Sequence, residues 1–321
     1  LHTTVHSFPT RRSSDLGETG PLSVHTGGTE IPVPANFRWP GGKRIAVIFR
    51  MAFEAWSDDH WPGVSPMGNP LKPGFPDLNA RGWAEYAYRR GVFRILDGFA
   101  HHRVKATVMV CGILAERYPH IVKKIADAGH EVAAHSYTMD MMSVYMSEDE
   151  ERRNIRRNVE LIERATGSRP VGWINPRGTP SPNTARLLAE EGFEWHGDTL
   201  NDDLPYVVEF GAHSIVAIPS NMEVNDLPLT MKHGQPPSVY VENFEGFLKY
   251  VRKREKGASK IDPAVHAHVF GRPAGMWALE RVMEIARKTK DVWIGTRAEA
   301  AAHVRKVLNR QTLRQDTKKN R

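Results

Sequence analysis

From about position 38 the chain alternates short apolar, β-branched runs with segments whose apolar residues recur every three or four positions. This is the pattern of repeated strand–helix units around a mainly parallel sheet. The first strand is expected over 45–49, bounded by Pro40, Gly41 and Gly42. A Gly- and Pro-rich excursion runs from Trp56 to Gly82, after which Val92, Ile95, Leu96 and Phe99 mark one face of a helix. Strands are expected over 104–110, 132–134, 171–174, 193–196, 215–218, 265–269 and 292–294, with helices over 119–128 and 278–288. Ser147-Glu-Asp-Glu150 is a capping box ahead of Ile155, Val159 and Ile162, and Gly167 stands where a left-handed C-cap is wanted. Ser181-Pro182-Asn183 opens another helix, which Gly192 ends. Seven or eight strands in this alternation predict a single distorted (β/α) barrel.

In such barrels reactive groups collect just past the C-terminal ends of the strands. That rule gathers Glu54, His135, Asn175, Arg177, Asp198, Asp202, Asp203, His266 and His268 at one end of the fold. His135 also begins an H-x-x-x-H spacing that is not completed, because position 139 is Met139. A thioether is a poor zinc ligand, so a metal site built on this spacing is altered.

Composition narrows the reading. The chain has 321 residues, room for one large α/β domain or two small ones, and 40% of them are hydrophobic, enough for a substantial core. Its net charge of +7 lies at the two ends: 305–321 carries seven basic residues against Asp316, and 1–16 adds one further positive charge. The body is therefore neutral, and no nucleic-acid partner is expected. No apolar run approaches the length of a membrane span, so no membrane partner is expected, and the lack of a secretion signal makes a cytoplasmic location the expectation. The single cysteine, Cys111, sits in an apolar run and reads as a buried thiol rather than a nucleophile. Residues 6–16, HSFPTRRSSDL, read as the translated sequence of a common sequencing adapter. The expected organisation is an adapter artefact over 1–16, an N-terminal extension over 17–37, one catalytic domain over 38–304 and a basic, disordered tail over 305–321.

Five ordered segments carry a family resemblance. They are the run 45–54 ending in Glu54, 128–135 ending in His135, Gly172-Trp173 with Arg177 and 181–184, Asp202-Asp203-Leu-Pro-Tyr206, and His266-Ala-His268-Val-Phe-Gly-Arg-Pro273. Together they resemble the polysaccharide deacetylase (NodB-like) superfamily, and within it the branch of metal-independent allantoinase and peptidoglycan-deacetylase-like proteins. The resemblance extends from about Trp39 to Val304. It implies a NodB-type barrel and a hydrolase of carbon–nitrogen bonds other than peptide bonds. It also implies a homo-oligomer, acting on a small cyclic amide or ureide or on an N-acylated amino sugar. The metal-dependent pattern is broken twice, because Phe49, Arg50, Met51 and Ala52 stand where those members carry an aspartate pair, and Met139 stands for a histidine. No cofactor is therefore preferred. If a divalent metal such as zinc binds, His135, Asp140 and Glu54 are the ligands expected.

Amide hydrolysis needs an activated water, a stabilised oxyanion and an acid for the departing nitrogen. Glu54 is the candidate base, with its pKa raised by apolar neighbours such as Phe53 and Trp56, against the alternative of a surface carboxylate. His266 is the candidate acid, against a structurally satisfied histidine. His135 is assigned to substrate binding, proton transfer or a metal, in that order. Trp56, Arg177, Asp202, Asp203 and His268 are the substrate-binding candidates. Arg177 has the alternative of pairing with Asp202 or Asp203, and the two aspartates that of simple turn chemistry. Trp56, Trp61 and Trp83 form either a lid over the pocket or packing beneath the long excursion. The remaining alternatives are a metal-dependent deacetylase of N-acetylated sugars and a non-catalytic carbohydrate-binding barrel.

Overall fold

The computed structural model describes residues 23–319 except 65, 68–70 and 73, with side chains through Asn309. The stretch expected to be adapter sequence lies outside the described residues.

The run from Ile45 to Glu54 shows how the sequence builds the site. It forms β2 (Ile45–Val47) and β3 (Arg50–Phe53), two halves of one extended segment, after β1 (Thr29–Pro32). Its odd-numbered residues, from Ile45 through Phe53, join the larger apolar cluster beneath the helices. Ala46, Ile48 and Ala52 join a second cluster on the opposite face. Both faces are buried, as expected of a central parallel strand, and period-two alternation puts Arg50 and Glu54 on the same inner face as Ala52.

After α1 (Leu78–Tyr86) and α2 (Val92–His101), units of strand and helix follow: β4 (Thr107–Val110), α3 (Gly112–Arg117), α4 (Pro119–Asp127), β5 (Glu131–Ala134) and α5 (Glu148–Thr166). The capping box of α5 is formed, with Ser147 and Glu150 bonding reciprocally and Gly167 at φ 80° closing the helix. Then come β6 (Gly172–Trp173), α6 (Thr184–Glu190), β7 (Trp195–His196), the hairpin of β8 (Tyr206–Phe210) and β9 (His213–Ala217), and α7 (Pro237–Arg254). The chain closes with β10 (Ser259–Ile261), β11 (Ala264–His266), α8 (Pro273–Lys288), β12 (Val292–Ile294) and α9 (Arg297–Lys319).

The fold is α/β. One sheet runs β1-β8-β9-β7-β6-β5-β4-β3-β11 and a second runs β10-β2-β12, the two linked through the continuous segments β2–β3 and β10–β11. The pairs from β9·β7 to β3·β11 are parallel, and only β1·β8 and β8·β9 are antiparallel. No closed ring of strand pairs is present among the described residues, because β1 and β11 stand at the two ends of the larger sheet.

Several boundaries differ from expectation. Residues 29–32, expected in an extension outside the domain, are an edge strand on β8, and Val33 and Phe37 are buried. The helix α9 extends to Lys319 within the stretch expected as a tail, and Arg305 donates to Ser214 Oγ at 2.9 Å. The run expected as a strand over 265–269 ends at His266, so His268 lies in the turn beyond it. No helix among the described residues is long and apolar enough to cross a membrane.

Below the site, Asp262 gathers three buried cations: Arg50 Nε at 2.5 Å, Arg297 Nη2 at 2.6 Å and Lys260 Nζ at 2.8 Å. The group ties the β2–β3 segment, the β10–β11 segment and α9 together. Burial opposes ionisation of Asp262, but the surrounding cations hold its carboxyl well below the usual range.

Candidate active site

Strand ends deliver three side chains to one point. Glu54 follows β3, His135 follows β5, and His266 is the last residue of β11. Oε1 of Glu54 lies 3.3 Å from His135 Nε2 and 3.6 Å from His266 Nε2, while Oε2 lies 4.0 Å from His268 Nδ1. The carboxylate is therefore ringed by three imidazoles and is almost fully buried. Burial pushes its pKa up, but the charge of His266, the hydrogen bond from His135 and the proximity of His268 outweigh burial and hold it at about 2. This corrects the expectation of a raised pKa: Phe53 faces away into the core beneath the helices, and imidazoles rather than apolar groups surround the carboxyl.

Each imidazole is set differently. His135 donates Nδ1–H to the Ile174 carbonyl at 2.6 Å, so its contact with Glu54 needs a second proton between Nε2 and the carboxyl. His266 donates Nδ1–H to Asp226 Oδ1 at 2.6 Å. Burial alone lowers the His266 pKa, but Glu54 and Asp226 together raise it above the ordinary value. His268 is completely buried, with Trp83 edge-on at 4.5 Å and Trp56 at 5.8 Å between ring centroids. Burial lowers its pKa to about 3, leaving a neutral ring whose two nitrogens have no hydrogen-bond partner among the described residues.

Asp226, which the sequence does not single out, backs His266. It is completely buried and its Oδ2 also accepts the backbone N–H of His266 at 2.8 Å and of Phe270 at 3.2 Å.

The other candidates are dispersed. Asp202 accepts the N–H of Leu204 at 3.0 Å in a turn and Asp203 is exposed; neither makes a hydrogen bond or ion pair with the residues around Glu54. Arg177 is exposed at φ 58°, and no partner for its side chain is found among the described residues, so the ion pair considered with Asp202 or Asp203 is not formed. Asp198 is engaged with Asn175, accepting its N–H at 2.7 Å and its Nδ2–H at 2.8 Å, and burial raises its pKa to about 6. Trp83 is buried and half-buried Trp56 packs with it on His268, while Trp56 also faces the cavity that reaches Glu54.

Of the three metal ligands expected, His135 and Glu54 meet and Asp140 is engaged elsewhere. Both oxygens of Asp140 hold the loop after Glu54, accepting Ser57 N–H at 2.9 Å and Ser57 Oγ–H at 2.7 Å. Met139 is buried in the core, and Arg50 pairs with Asp262. Among the described residues no group of three or more His, Cys, Asp or Glu side chains converges as a cation would need. Cys111 is buried with its thiol pushed far up by burial, and its Sγ–H donates to the His135 carbonyl at 3.4 Å.

Access to Glu54 is through a cavity of about 430 Å³, walled by Trp56, Trp61, Tyr88 and Tyr118. That volume is in the range of small-molecule sites.

A sequence profile of the polysaccharide deacetylase family matches residues 84–196. A chitooligosaccharide deacetylase of Sinorhizobium fredii is 38% identical over 181 residues, covering 55% of this chain and 80% of that protein. A putative polysaccharide deacetylase of Schizosaccharomyces pombe is 27% identical over 310 residues, covering 86% and 94%. Among solved structures, Puue allantoinase superposes with a TM-score of 0.78 at 29% identity, covering 89% of this chain and 97% of that one.

Proposed function

Because the chain belongs to the polysaccharide deacetylase family, and is thus a hydrolase of carbon–nitrogen bonds other than peptide bonds, we propose that it opens a small cyclic amide or ureide with water and without a catalytic metal. The observation that carries this reading is the convergence of His135 Nε2 and His266 Nε2 on one oxygen of Glu54, with His266 backed by Asp226. We read the two linked sheets as a distorted (β/α) barrel with this cluster at its C-terminal end.

Glu54, ionised at neutral pH, takes a proton from water as the oxygen attacks the carbonyl carbon. The C–N bond breaks as His266 gives its Nε2 proton to the departing nitrogen, and Asp226 keeps that proton on the imidazole until it is needed. Losing the charge of His266 also removes the largest influence that lowers the Glu54 pKa, so the base strengthens as the acid is consumed. His135, fixed by the Ile174 carbonyl and carrying the second proton on Nε2, donates Nε2–H to the developing oxyanion. His268 stands behind the carboxylate as a neutral wall.

A second reading, deacetylation of an N-acetylated amino sugar with a divalent metal, is favoured by the name of the Sinorhizobium relative. One experiment separates the two. Protein purified without chelator or added metal is analysed for metal and screened against allantoin, dihydropyrimidines, cyclic imides and N-acetylglucosamine oligomers, before and after chelation. Turnover of a cyclic amide by metal-free protein supports the first reading. Stoichiometric zinc with chelator-sensitive release of acetate overturns it in favour of the second.

A further inference from the structure

The cavity above Glu54 contains more charge than the hydrolytic cluster uses. Arg117 and Asp58 form a two-pronged pair at 2.6 and 2.8 Å, which occupies both oxygens of Asp58. Glu85, on the wall formed by α1, is held by Arg89 at 2.9 and 3.0 Å. His60 is paired with Asp59 at 2.8 Å. Arg81 also lines the cavity, and its half-buried guanidinium has no hydrogen bond or ion pair among the described residues. Its backbone is fixed, since its N–H donates to the Asp77 carbonyl at 3.0 Å in the first turn of α1.

A planar guanidinium offers a fork of donors matched to a carboxylate, and in a walled site that pairing is stronger than in open water. The aromatic wall provides no acceptor charge of its own. Tyr88 and Tyr118 are stacked with ring centroids 4.7 Å apart, and burial pushes the Tyr88 hydroxyl pKa up, so it stays neutral. The cavity therefore has a hydrolytic carboxylate, a flat aromatic wall suited to a ring, and a guanidinium, Arg81, with no hydrogen-bonded partner among the described residues, facing only the through-space charge of Asp58, which Arg117 already holds.

We propose that Arg81 is the specificity-determining residue of this site and that the substrate carries a carboxylate, a carboxylated cyclic amide or ureide rather than a neutral one. This deepens the cyclic-amide reading and rests on it. Matched pairs isolate the carboxylate: dihydrouracil against dihydroorotate, and hydantoin against hydantoin-5-acetate. For each pair, kcat, KM and calorimetric Kd are measured with the wild-type chain, Arg81→Gln and Arg81→Lys.

The carboxylated member is expected to be preferred by about 10- to 100-fold, mainly through KM and Kd, as for a hydrogen bond to a charged group. Arg81→Gln should remove that preference and leave the neutral member within about twofold, with Arg81→Lys restoring part of it. Carboxylate-selective, Arg81-dependent binding without turnover of either ring upholds the anion site and overturns the cyclic-amide reading. Turnover of both members alike, unchanged by Arg81→Gln, overturns the role of Arg81 and leaves that reading standing. Absence of carboxylate-selective binding also overturns the role of Arg81, as does an equal loss for both members in Arg81→Gln.

Discussion

Asp226 holds His266 with both of its oxygens, Oδ1 accepting the ring Nδ1–H at 2.6 Å and Oδ2 the backbone N–H at 2.8 Å. The pair fixes the ring's orientation and its protonated nitrogen, leaving Nε2 to face Glu54. Asp226→Asn keeps the shape but removes one of the two charges, after that of Glu54, that raise the His266 pKa. Activity is expected to fall by about 10²–10⁴-fold, the usual contribution of a positioned proton donor. The alkaline limb of the pH–rate profile should move to lower pH, because less of His266 stays protonated. The sign for stability follows from the raised pKa. The pair's contribution is full below the unfolded histidine value of about 6.5 and is lost as pH rises through the higher folded value. The stability gap between wild type and Asp226→Asn should therefore narrow in alkali. A pH profile unchanged by the substitution would refute the assignment of His266 as acid.

The sequence contains Asp-Leu-Pro twice, at 203–205 and 226–228, and only the second belongs to the site. The sequence points to the first, which follows an expected strand and sits inside a family motif. Nothing local separates them: both are turn-forming, and Asp226 becomes functional only because its segment lies against β11, with Asn225 bridging to Ala264. Glu54, His135 and His266 were legible for the opposite reason. Each ends an apolar strand, and strand ends in a parallel α/β fold converge whatever the loops do. Arg81 is obscured because α1 begins within a stretch read as a Gly/Pro excursion. Its signal was Asp77, whose side chain accepts the Ala80 N–H at 2.8 Å.

Glu54→Gln preserves volume but removes the carboxylate that carries out the water step. A loss of about 10²–10⁴-fold in kcat is expected, with KM little changed. In the wild type the carboxyl has a pKa of about 2, below the ordinary value. Its contribution to stability is present above the unfolded value of about 4.3 and is lost as pH falls toward 2. Acid unfolding of Glu54→Gln should consequently depend less on pH over that interval. Measuring kcat beside an acid-denaturation series checks both statements, and a substitution that spares kcat would remove Glu54 from the mechanism.

Gly91 permits the turn between the two site histidines to approach the helices. A Cβ at this position would lie 1.8 Å from the Ala267 carbonyl oxygen and 2.7 Å from its carbon. Both are backbone atoms, so no side chain can rotate away, and Ala267 is flanked by His266 and His268. Gly91→Ala is expected to cost about 1–3 kcal/mol as an overpacked substitution. It should also lower kcat by displacing His266. Gly246 lies inside α7 with open space around it, and Gly246→Ala should instead stabilise by about 0.4–1 kcal/mol. Denaturant midpoints and kcat for the two variants provide the comparison. Equal behaviour would mean that the close approach is not maintained in solution.

Met139→His restores the H-x-x-x-H spacing, yet it should not restore a zinc site. The backbone at 139 is pinned, its N–H donating to the Ala55 carbonyl at 2.9 Å, and the Met139 side chain is packed in the apolar core. His135 already has Nδ1 on the Ile174 carbonyl and Nε2 on Glu54, while Asp140 is held by Ser57. On the first strand the residue available is Arg50, a cation that would repel a second one and that Asp262 holds in place. The new imidazole would be a buried polar group without a partner, at a cost of about 1–3 kcal/mol. Zinc at about 100 times a dissociation constant stabilises a native state by about 2.7 kcal/mol, so even a modest site would be plain in Tm. We expect Tm to fall in Met139→His and to stay unmoved by zinc, with turnover of a cyclic amide equally insensitive to chelator in both proteins. A zinc-dependent rise in Tm, accompanied by one bound equivalent, would show that the spacing alone governs metal binding and that Arg50 and Asp140 can yield.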